Sequence, residues 1–264
     1  MKKLNTLRRR DIAIQAAKTA GDFLWRNFGR TIKIKEKGHY QLVTNIDLEA
    51  EKIIKDLIIE NFPQDNIISE ENSLKKDSEC SWIIDPLDGT HNFIHNIDIF
   101  GVSIAFAFKE KVILGVIYMP TDKELYVALR GEGAYKNGKR IYVSDRDINQ
   151  ATLIFDSSIR YQKKKILKDL EILCEAVFNI RMFGSTVRSL SFIAEGKAEI
   201  EVEYNDKIWD FAAGLILVEE AGGRATDLKG NPWNIYTKGY IASNQKVWEK
   251  ILTLKIGNIH RNSY

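Results

Sequence analysis

Cysteine and proline are scarce in this chain of 264 residues, with two and four copies respectively. Cys80 and Cys174 lie far apart in the sequence, so neither a disulfide framework nor a zinc pattern can be built from them. Both are expected to be free thiols, as in a reducing compartment. No run of about 18 apolar residues occurs, which excludes the usual membrane-spanning helix. The basic start MKKLNTLRRR lacks the apolar stretch of a signal peptide. A cytoplasmic location is the expectation. Charge of one sign is not in excess either. Lys and Arg number 39 against 36 Asp and Glu, a net charge of +3, too balanced to argue for nucleic acid or a membrane surface. A Ser-His pair or a reactive Cys site is not recognisable, so a side-chain nucleophile is not expected.

What is present is an ordinary globular composition, 44% hydrophobic and 28% charged, long enough for one large domain or two fused halves. Apolar spacing predicts a helix over 8–28, stopped by Gly29. A short strand and a polar loop are expected over 31–43. Thr44 is placed to cap a second helix, with Asp47 in its first turn and Pro63 after its end. From Asn66 the texture changes to short alternating runs, NIIS, WII, FGVSIAFAF, KVILGVIYM and ELYVAL, with a hairpin turn at 109–111. These predict a mostly antiparallel sheet of consecutive strands. After about residue 146 strands and helices alternate. Helices are expected over 160–176, over STVRSLSFIAEG and over DFAAGLILVEEAGG, and strands at ATLIFD, NIRMF, AEIEVEY and GYIAS. The fold class is α+β, with helices layered on two sheets. Two subdomains are expected: residues 1–145, carrying acidic loops, and residues 146–264, completing a site.

The stretch WIIDPLDGTHNF, residues 82–93, carries the chemistry. Pro86 has no N–H, fixes its own φ and biases Asp85 away from helix, so a turn is expected immediately after Asp85. Such a turn brings Asp85 and Asp88 to one side, with the Leu87 carbonyl between them. Gly89 permits close backbone approach, and Thr90 opens a helix through HNFIH. Two ionised carboxylates at close range repel unless one takes a proton or a cation intervenes. An all-oxygen donor set favours Mg²⁺ or Mn²⁺ over zinc. The N–H groups of Gly89 and Thr90, at a helix start, offer a phosphate seat. Metal beside phosphate is the layout of metal-assisted phosphoester chemistry. Two other stretches bear on this. IISEEN puts Glu70 and Glu71 after a short strand. KIWDFAAGLILVEEAGG puts Asp210 before a helix whose Ala212, Ala213 and Gly214 allow close approach to another element. Each stretch alone also has a plain explanation: a decorated turn, a solvated acidic turn and an N-cap Asp.

WIIDPLDGTHNF resembles the signature of the inositol monophosphatase family, and WDFAAGLILVEEAGG resembles that family's second signature. LVTNID, SEEN, RGEGAYKNGKRI and RMFGST fall in family order and near family spacing. The resemblance implies a layered αβαβα sandwich of the inositol monophosphatase/fructose-1,6-bisphosphatase type. It also implies two or three Mg²⁺ ions per site, lithium sensitivity and a homodimer. Carried over by position, Glu70, Asp85 and the Leu87 carbonyl would hold one Mg²⁺, and Asp85, Asp88 and Asp210 another. Asp47 and Thr90 would orient or deprotonate the attacking water, with Glu70 assisting. Gly89 and Thr90 would hold the phosphate beside Leu87, Asp88 and Asp210. Arg181, Gly184, Ser185, Thr186 and Glu203 would contact the rest of the substrate. His91 is expected to be a surface passenger.

The substrate this resemblance implies is myo-inositol 1-phosphate. Fructose 1,6-bisphosphate is the alternative, and its second phosphate would need a basic partner, for which Arg160, Arg188 and Lys207 are candidates. The turn Asn205-Asp206-Lys207 departs from the Gly often found there in inositol-specific members, which bears on sugar preference. His91-Asn92 departs from the Lys-Glu of the nucleotide 3′-phosphatase branch. Some bacterial family members are also partners of the transcription machinery. On that different reading MKKLNTLRRR would dock on RNA or an acidic protein; the simpler reading is a frayed, solubilising terminus.

Overall fold

The computed structural model describes residues 5–30, 34–37, 41–155, 159–254 and 256. The chain opens with α1 (Thr6–Asn27), the strands β1 (Ile34–Lys37) and β2 (Gln41–Thr44), and α2 (Asn45–Asn61). Then come β3 (Asn66–Ser69), β4 (Cys80–Asp88), α3 (Thr90–Ile94), β5 (Gly101–Phe108), β6 (Lys111–Met119), β7 (Glu124–Leu129), β8 (Gly133–Lys136) and β9 (Lys139–Arg140). The remainder is β10 (Thr152–Phe155), α4 (Lys163–Ala176), β11 (Asn179–Arg181), α5 (Thr186–Ala194), β12 (Ile200–Glu203), α6 (Ile208–Glu220), β13 (Arg224–Asp227), β14 (Tyr240–Ser243) and α7 (Gln245–Ile251). Residues 31–33 and 38–40 of the expected strand and loop, and Asp156 of ATLIFD, lie outside the described residues.

β3 to β9 form a seven-stranded sheet in sequence order, antiparallel except for the β3–β4 pair. From β5 to β9 consecutive strands pair because short turns join them, whereas β4 reaches β5 through α3. Lys109 and Glu110, both with positive φ (49° and 64°), make the tight turn expected between β5 and β6. The second sheet has the order β11-β10-β12-β14-β13, with crossovers through α4 and α5. Side-chain alternation decides the layers. Trp82, Ile84, Ile104 and Phe106 pack against Ala13, Ala17, Leu24, Ile54 and Ile58 of α1 and α2. Ile83, Ala105 and Ile117 face the other way, onto Leu190 of α5 and Ile216 of α6. Ile154 and Ala242 close that central layer from the second sheet, whose far face (Leu153, Val202, Ile241) packs on α4 and α7 through Ile166, Leu173 and Val247. The result is the expected αβαβα sandwich.

The small residues of α6 do what their size allows. A Cβ on Gly115 of β6 would come within 2.6 Å of the Ala213 carbonyl, and one on Gly214 within 2.3 Å of Leu190. The helix is therefore wedged against both β6 and α5, which fixes where its first turn stands.

Two expectations need correction. Pro86 does not end the strand at Asp85. β4 continues to Asp88 because Pro86 falls in a bulge: Asp85 pairs with Ser103 and Asp88 with Gly101, so the missing N–H interrupts no ladder bond. The basic start is not frayed from Thr6 onward either. Arg9 is buried, pairs with Asp65, and stands over the Phe62 and Phe106 rings at 4.2 and 4.1 Å. Arg8 donates to Asn61 and Arg10 to Asp11. Removing one partner of a pair as buried as Arg9–Asp65 costs about 3–5 kcal/mol, so this arginine belongs to the fold. Both cysteines are free, Cys80 half-buried and Cys174 exposed. Among the described residues no helix is long and apolar enough to cross a membrane.

Candidate active site

The bulge in β4 is the centre of the site. Asp85 is 2% exposed and its Oδ1 accepts from the Leu87 N–H at 3.0 Å, which holds the bulge closed. Burial raises its carboxyl well above the ordinary range, and the neighbouring charges of Glu70, Asp88 and Asp210 push the same way. Three residues on, Asp88 turns toward the start of α5. It accepts from the Ser185 hydroxyl and from the Thr186 and Val187 N–H groups at 3.0 and 3.4 Å. Burial still lifts it to about 6 against those hydrogen bonds. Gly89 has φ 84°, and a Cβ there would meet the Ile99 carbonyl at 2.8 Å, so this bend requires glycine. α3 then begins at Thr90, as expected.

Asp47 reaches the site from α2. Its Oδ2 accepts from the Thr44 N–H at 2.9 Å while Thr44 accepts from the Asp47 N–H, the expected reciprocal cap. That arrangement turns Oδ1 toward Thr90, whose hydroxyl lies 3.0 Å from it and 3.0 Å from the Leu87 carbonyl. Burial raises the Asp47 carboxyl, opposed by the hydrogen bonds from Thr44 and Thr90.

Glu70 follows β3 in a loop organised by Glu51, a residue not singled out in the sequence. Buried Glu51 accepts from the Ser69 hydroxyl and from both the backbone N–H and the side-chain amide of Asn72, each of the latter at 3.0 Å. Asp210 is not an N-cap: α6 starts at Ile208, and Asp210 is its third residue, accepting from the Lys207 N–H at 2.7 Å. The Trp209 carbonyl accepts from Ser103 at 3.2 Å, which ties this first turn to the residue opposite Asp85. Burial, then Asp206, Glu70 and Asp88, raise Asp210 well above the ordinary range.

A cavity of about 180 Å³ opens beside these acids, lined by Asp88, Gly184, Ser185, Thr186, Glu203 and Asp210 among the expected residues. Buried Asn92 holds its rim, donating to the Ile99 and Phe183 carbonyls at 2.9 and 2.8 Å. Ser189, Glu201 and Asp206 also line the cavity and were not assigned to a site from the sequence. The signal for Glu201 was the alternation Glu199, Glu201, Glu203, which by itself reads as a solvent face; all three are buried. Glu203 curls onto its own chain, accepting from the Tyr204 N–H at 3.0 Å. Arg181 is exposed and donates to the Ile180 carbonyl at 2.8 Å rather than lining the cavity. Arg188 is also turned elsewhere: it is 4% exposed and bound to Asp122 and Glu124. Lys207 and His91 are exposed, and the Arg160 side chain lies outside the described residues.

Among the described residues no three His, Cys, Asp or Glu side chains already stand as a closed ligand set. Part of the carboxylate capacity is turned onto N–H and O–H donors, as at Asp88 and Asp210. The donor chemistry nonetheless fits a hard divalent cation. The interacting acids Glu70, Asp85, Asp88 and Asp210 offer only oxygens, and burial raises the carboxyls of Asp85, Asp88 and Asp210, a cost that a bound divalent cation would offset.

A five-layer α+β sandwich with buried acids at a strand bulge is the frame in which the comparisons with known proteins fall. Residues 7–261 match the model of the inositol monophosphatase family, and the chain belongs to that family. It is 34% identical over 245 residues to the fructose-1,6-bisphosphatase/inositol-1-monophosphatase of Thermotoga maritima, covering 92% of this chain and 94% of that protein. It is 35% identical over 251 residues to Nus factor SuhB of Escherichia coli, covering 92% and 93%. The solved structure of extragenic suppressor protein suhB from Bartonella henselae superposes with a TM-score of 0.90 at 36% identity, over 94% of this chain and 98% of that one. An IMPase structure from Thermotoga maritima gives 0.86 at 33%, over 94% and 96%.

Proposed function

We propose that this phosphatase hydrolyses myo-inositol 1-phosphate to inositol and phosphate, using Mg²⁺ and an attacking water. The observation that carries the reading is the set of buried carboxyls gathered at the β4 bulge and the first turn of α6, Asp85, Asp88 and Asp210, each raised by burial. Glu70, Asp85 and the Leu87 carbonyl would hold one Mg²⁺, and Asp85, Asp88 and Asp210 a second, with a third ion allowed by the family pattern. Bound Mg²⁺ supplies Lewis-acid neutralisation of the phosphoryl charge. The chain positions and deprotonates the attacking water, and the inositol oxygen released when the P–O bond breaks takes its proton from solvent. Thr90 accepts a proton from the attacking water at Oγ1 as its own hydroxyl proton passes toward Asp47 Oδ1, 3.0 Å away. Thr44 keeps Asp47 aimed during that transfer. Glu70 assists in orienting the water. The N–H groups of Gly89 and Thr90 seat the phosphate, and Gly184, Ser185, Thr186 and Glu203 border the polyol, with Arg181 at the outer edge.

Lithium inhibition, a homodimer and a cytoplasmic location belong to the same reading and rest on the family resemblance. Two relatives' names favour other readings: fructose 1,6-bisphosphate as substrate, and a role beside the transcription machinery. Of the arginines in the basic start, Arg9 is buried and paired within the fold, whereas Arg8 and Arg10 make exposed contacts. A panel of phosphate monoesters assayed with Mg²⁺ and in excess chelator tests the proposal. Turnover of inositol 1-phosphate that stops on chelation is expected. Full turnover in chelator would sink the metal mechanism, and RNA binding lost on deleting residues 1–7 would support the interaction role.

A further inference from the structure

We infer that Glu51 is a positioning residue: it holds the loop that carries Glu70 and so sets how tightly the site binds Mg²⁺. The inference deepens the phosphatase reading above and rests on its assignment of Glu70 to a metal. Of the four acids given to Mg²⁺, Asp85 and Asp88 lie in β4 and Asp210 in the first turn of α6. Strand pairing and helix hydrogen bonds fix their backbones. Glu70 is different. It comes just after the last residue of β3, in the connection to β4, and its charge acts on both Asp85 and Asp210. A ligand on a loop is placed less precisely than one on a strand or helix, unless another element grips the loop.

α2 supplies that grip. Glu51 is 3% exposed. Its Oε1 accepts from the Ser69 hydroxyl and from the Asn72 N–H at 3.0 Å, while Oε2 accepts from the Asn72 side-chain amide at 3.0 Å. Lys55, one turn further along α2, donates to the Asn72 carbonyl and stands 3.6 Å from Glu51 Oε2. Glu70 is thereby bracketed, because the residue before it and the second residue after it are tied to one carboxylate. The loop also has bonds of its own: the Ser69 N–H donates to Ser73 Oγ at 3.1 Å, and Ile67 pairs with Leu74. Those contacts shape the loop but do not tie it to the helix. The spacing within α2 gives the arrangement its sense. Asp47 and Glu51 are four residues apart, hence on one helix face. Asp47 reaches the Thr90 hydroxyl at 3.0 Å, so a single helix places both Asp47 and the loop of Glu70. The hydrogen bonds that Glu51 accepts come from the loop and not from its own helix, which marks it as a support for what the loop carries.

Calorimetric Mg²⁺ titration of Glu51→Ala, Glu51→Gln and Asn72→Ala tests this, together with the Mg²⁺ dependence of turnover and melts in chelator. Losing an outer partner of a metal ligand costs about 10–100-fold in metal affinity. Glu51→Ala is expected to weaken Mg²⁺ binding about tenfold, the low end of that range, and excess Mg²⁺ should restore most of kcat. Glu51→Gln keeps one acceptor oxygen and should lose less. Asn72 is exposed, so truncating it to Ala reports on the same contact should Glu51→Ala fail to fold, and a smaller loss of affinity is expected. In a Glu70→Gln background the Glu51 substitutions should weaken Mg²⁺ binding no further, because they act through Glu70. Mg²⁺ affinity unchanged in every variant that folds, or a full additional loss in the Glu70→Gln background, overturns this inference and leaves the phosphatase reading standing. A wild-type protein that neither binds Mg²⁺ nor needs it for turnover overturns both.

Discussion

Two sets of buried charge flank α5, and they are built in opposite ways. On one side Arg188 meets Glu124 and Asp122, and Lys136 joins Glu124 to Glu195. Burial alone would raise Glu124, but hydrogen bonds from Lys136, Tyr126 and Arg188 outweigh it and bring the carboxyl down to about 2. Every charge there has an opposite. On the other side Ser185, Thr186 and Val187 offer Asp88 only hydrogen bonds, and burial leaves it up at about 6. Asp85, Asp210 and Glu201 are raised as well, with burial the first cause. A balanced cluster holds β7, β8 and α5 together without help. An unbalanced and more deeply buried one holds repulsion that a cation would relieve, and this is the physical distinction between a structural polar network and a site.

The sharpest break of that contrast is Asp85→Asn. An amide offers one good oxygen donor where the carboxylate offered two, so a residue bridging two metals should weaken both sites together. Turnover is expected to fall about 10³-fold, the upper range for deleting one electrostatic contact in an active site. In chelator the melting temperature should stay equal or rise, because the remaining acids crowd less. Calorimetric Mg²⁺ titration with melts in chelator decides it; a variant that binds Mg²⁺ like the wild type would return the bulge to a purely structural role.

The same test on the balanced side should read out as stability instead. Arg188→Ala leaves half-buried Glu124 with Lys136 and leaves exposed Asp122 to solvent, and a loss of about 2 kcal/mol is expected, below the range for breaking a fully buried pair. Denaturant unfolding measures this. A variant of unchanged stability would mean that the network contributes nothing net.

Of similar size is the pH response of the metal-free protein. The Asp88 carboxyl is raised from 3.8 to about 6 in the fold. Between those values the folded state holds the proton more tightly, so stability falls as pH rises through the window and stays lost above it. The drop from this group is on the order of 2 kcal/mol. Melts in chelator from pH 4 to 6 should show it, and Asp88→Asn should flatten the slope. A wild-type slope no steeper than that of the variant would contradict the assignment. The smallest effect belongs to the surface: Glu79→Gln breaks a pair with Lys109 in which both side chains are 62% exposed. A change below about 0.5 kcal/mol is expected, and a larger one would show that exposure does not separate the two kinds of charge.

Much of this was readable before any coordinates. The Thr44–Asp47 cap, the turn at Lys109-Glu110, the helix start at Thr90 and the acidic motifs depend on residues close in sequence, where side-chain reach and allowed φ/ψ decide the outcome. The short β13 and α7 were not anticipated. RATD is an edge strand that exists through its pairing with β14, and α7 is seven residues long, with Asn244 capping at Val247 as its main local signal.

What needed the folded chain was the fate of the charges. Asp85-Pro86 reads as a stop, yet becomes a bulge because β5 supplies partners on either side of the missing N–H. Arg9 and Arg188 read as surface cations, yet one packs between aromatic rings and the other is neutralised by residues more than sixty positions away. Glu201 reads as solvated, yet α5 covers it through Ser189. Backbone preference is set within a few residues, whereas burial and charge compensation are set by whatever the rest of the chain brings alongside. The acids could therefore be found by reading along the chain, and only the packing of α5 and α6 against the two sheets decided which of them are left without an opposite charge.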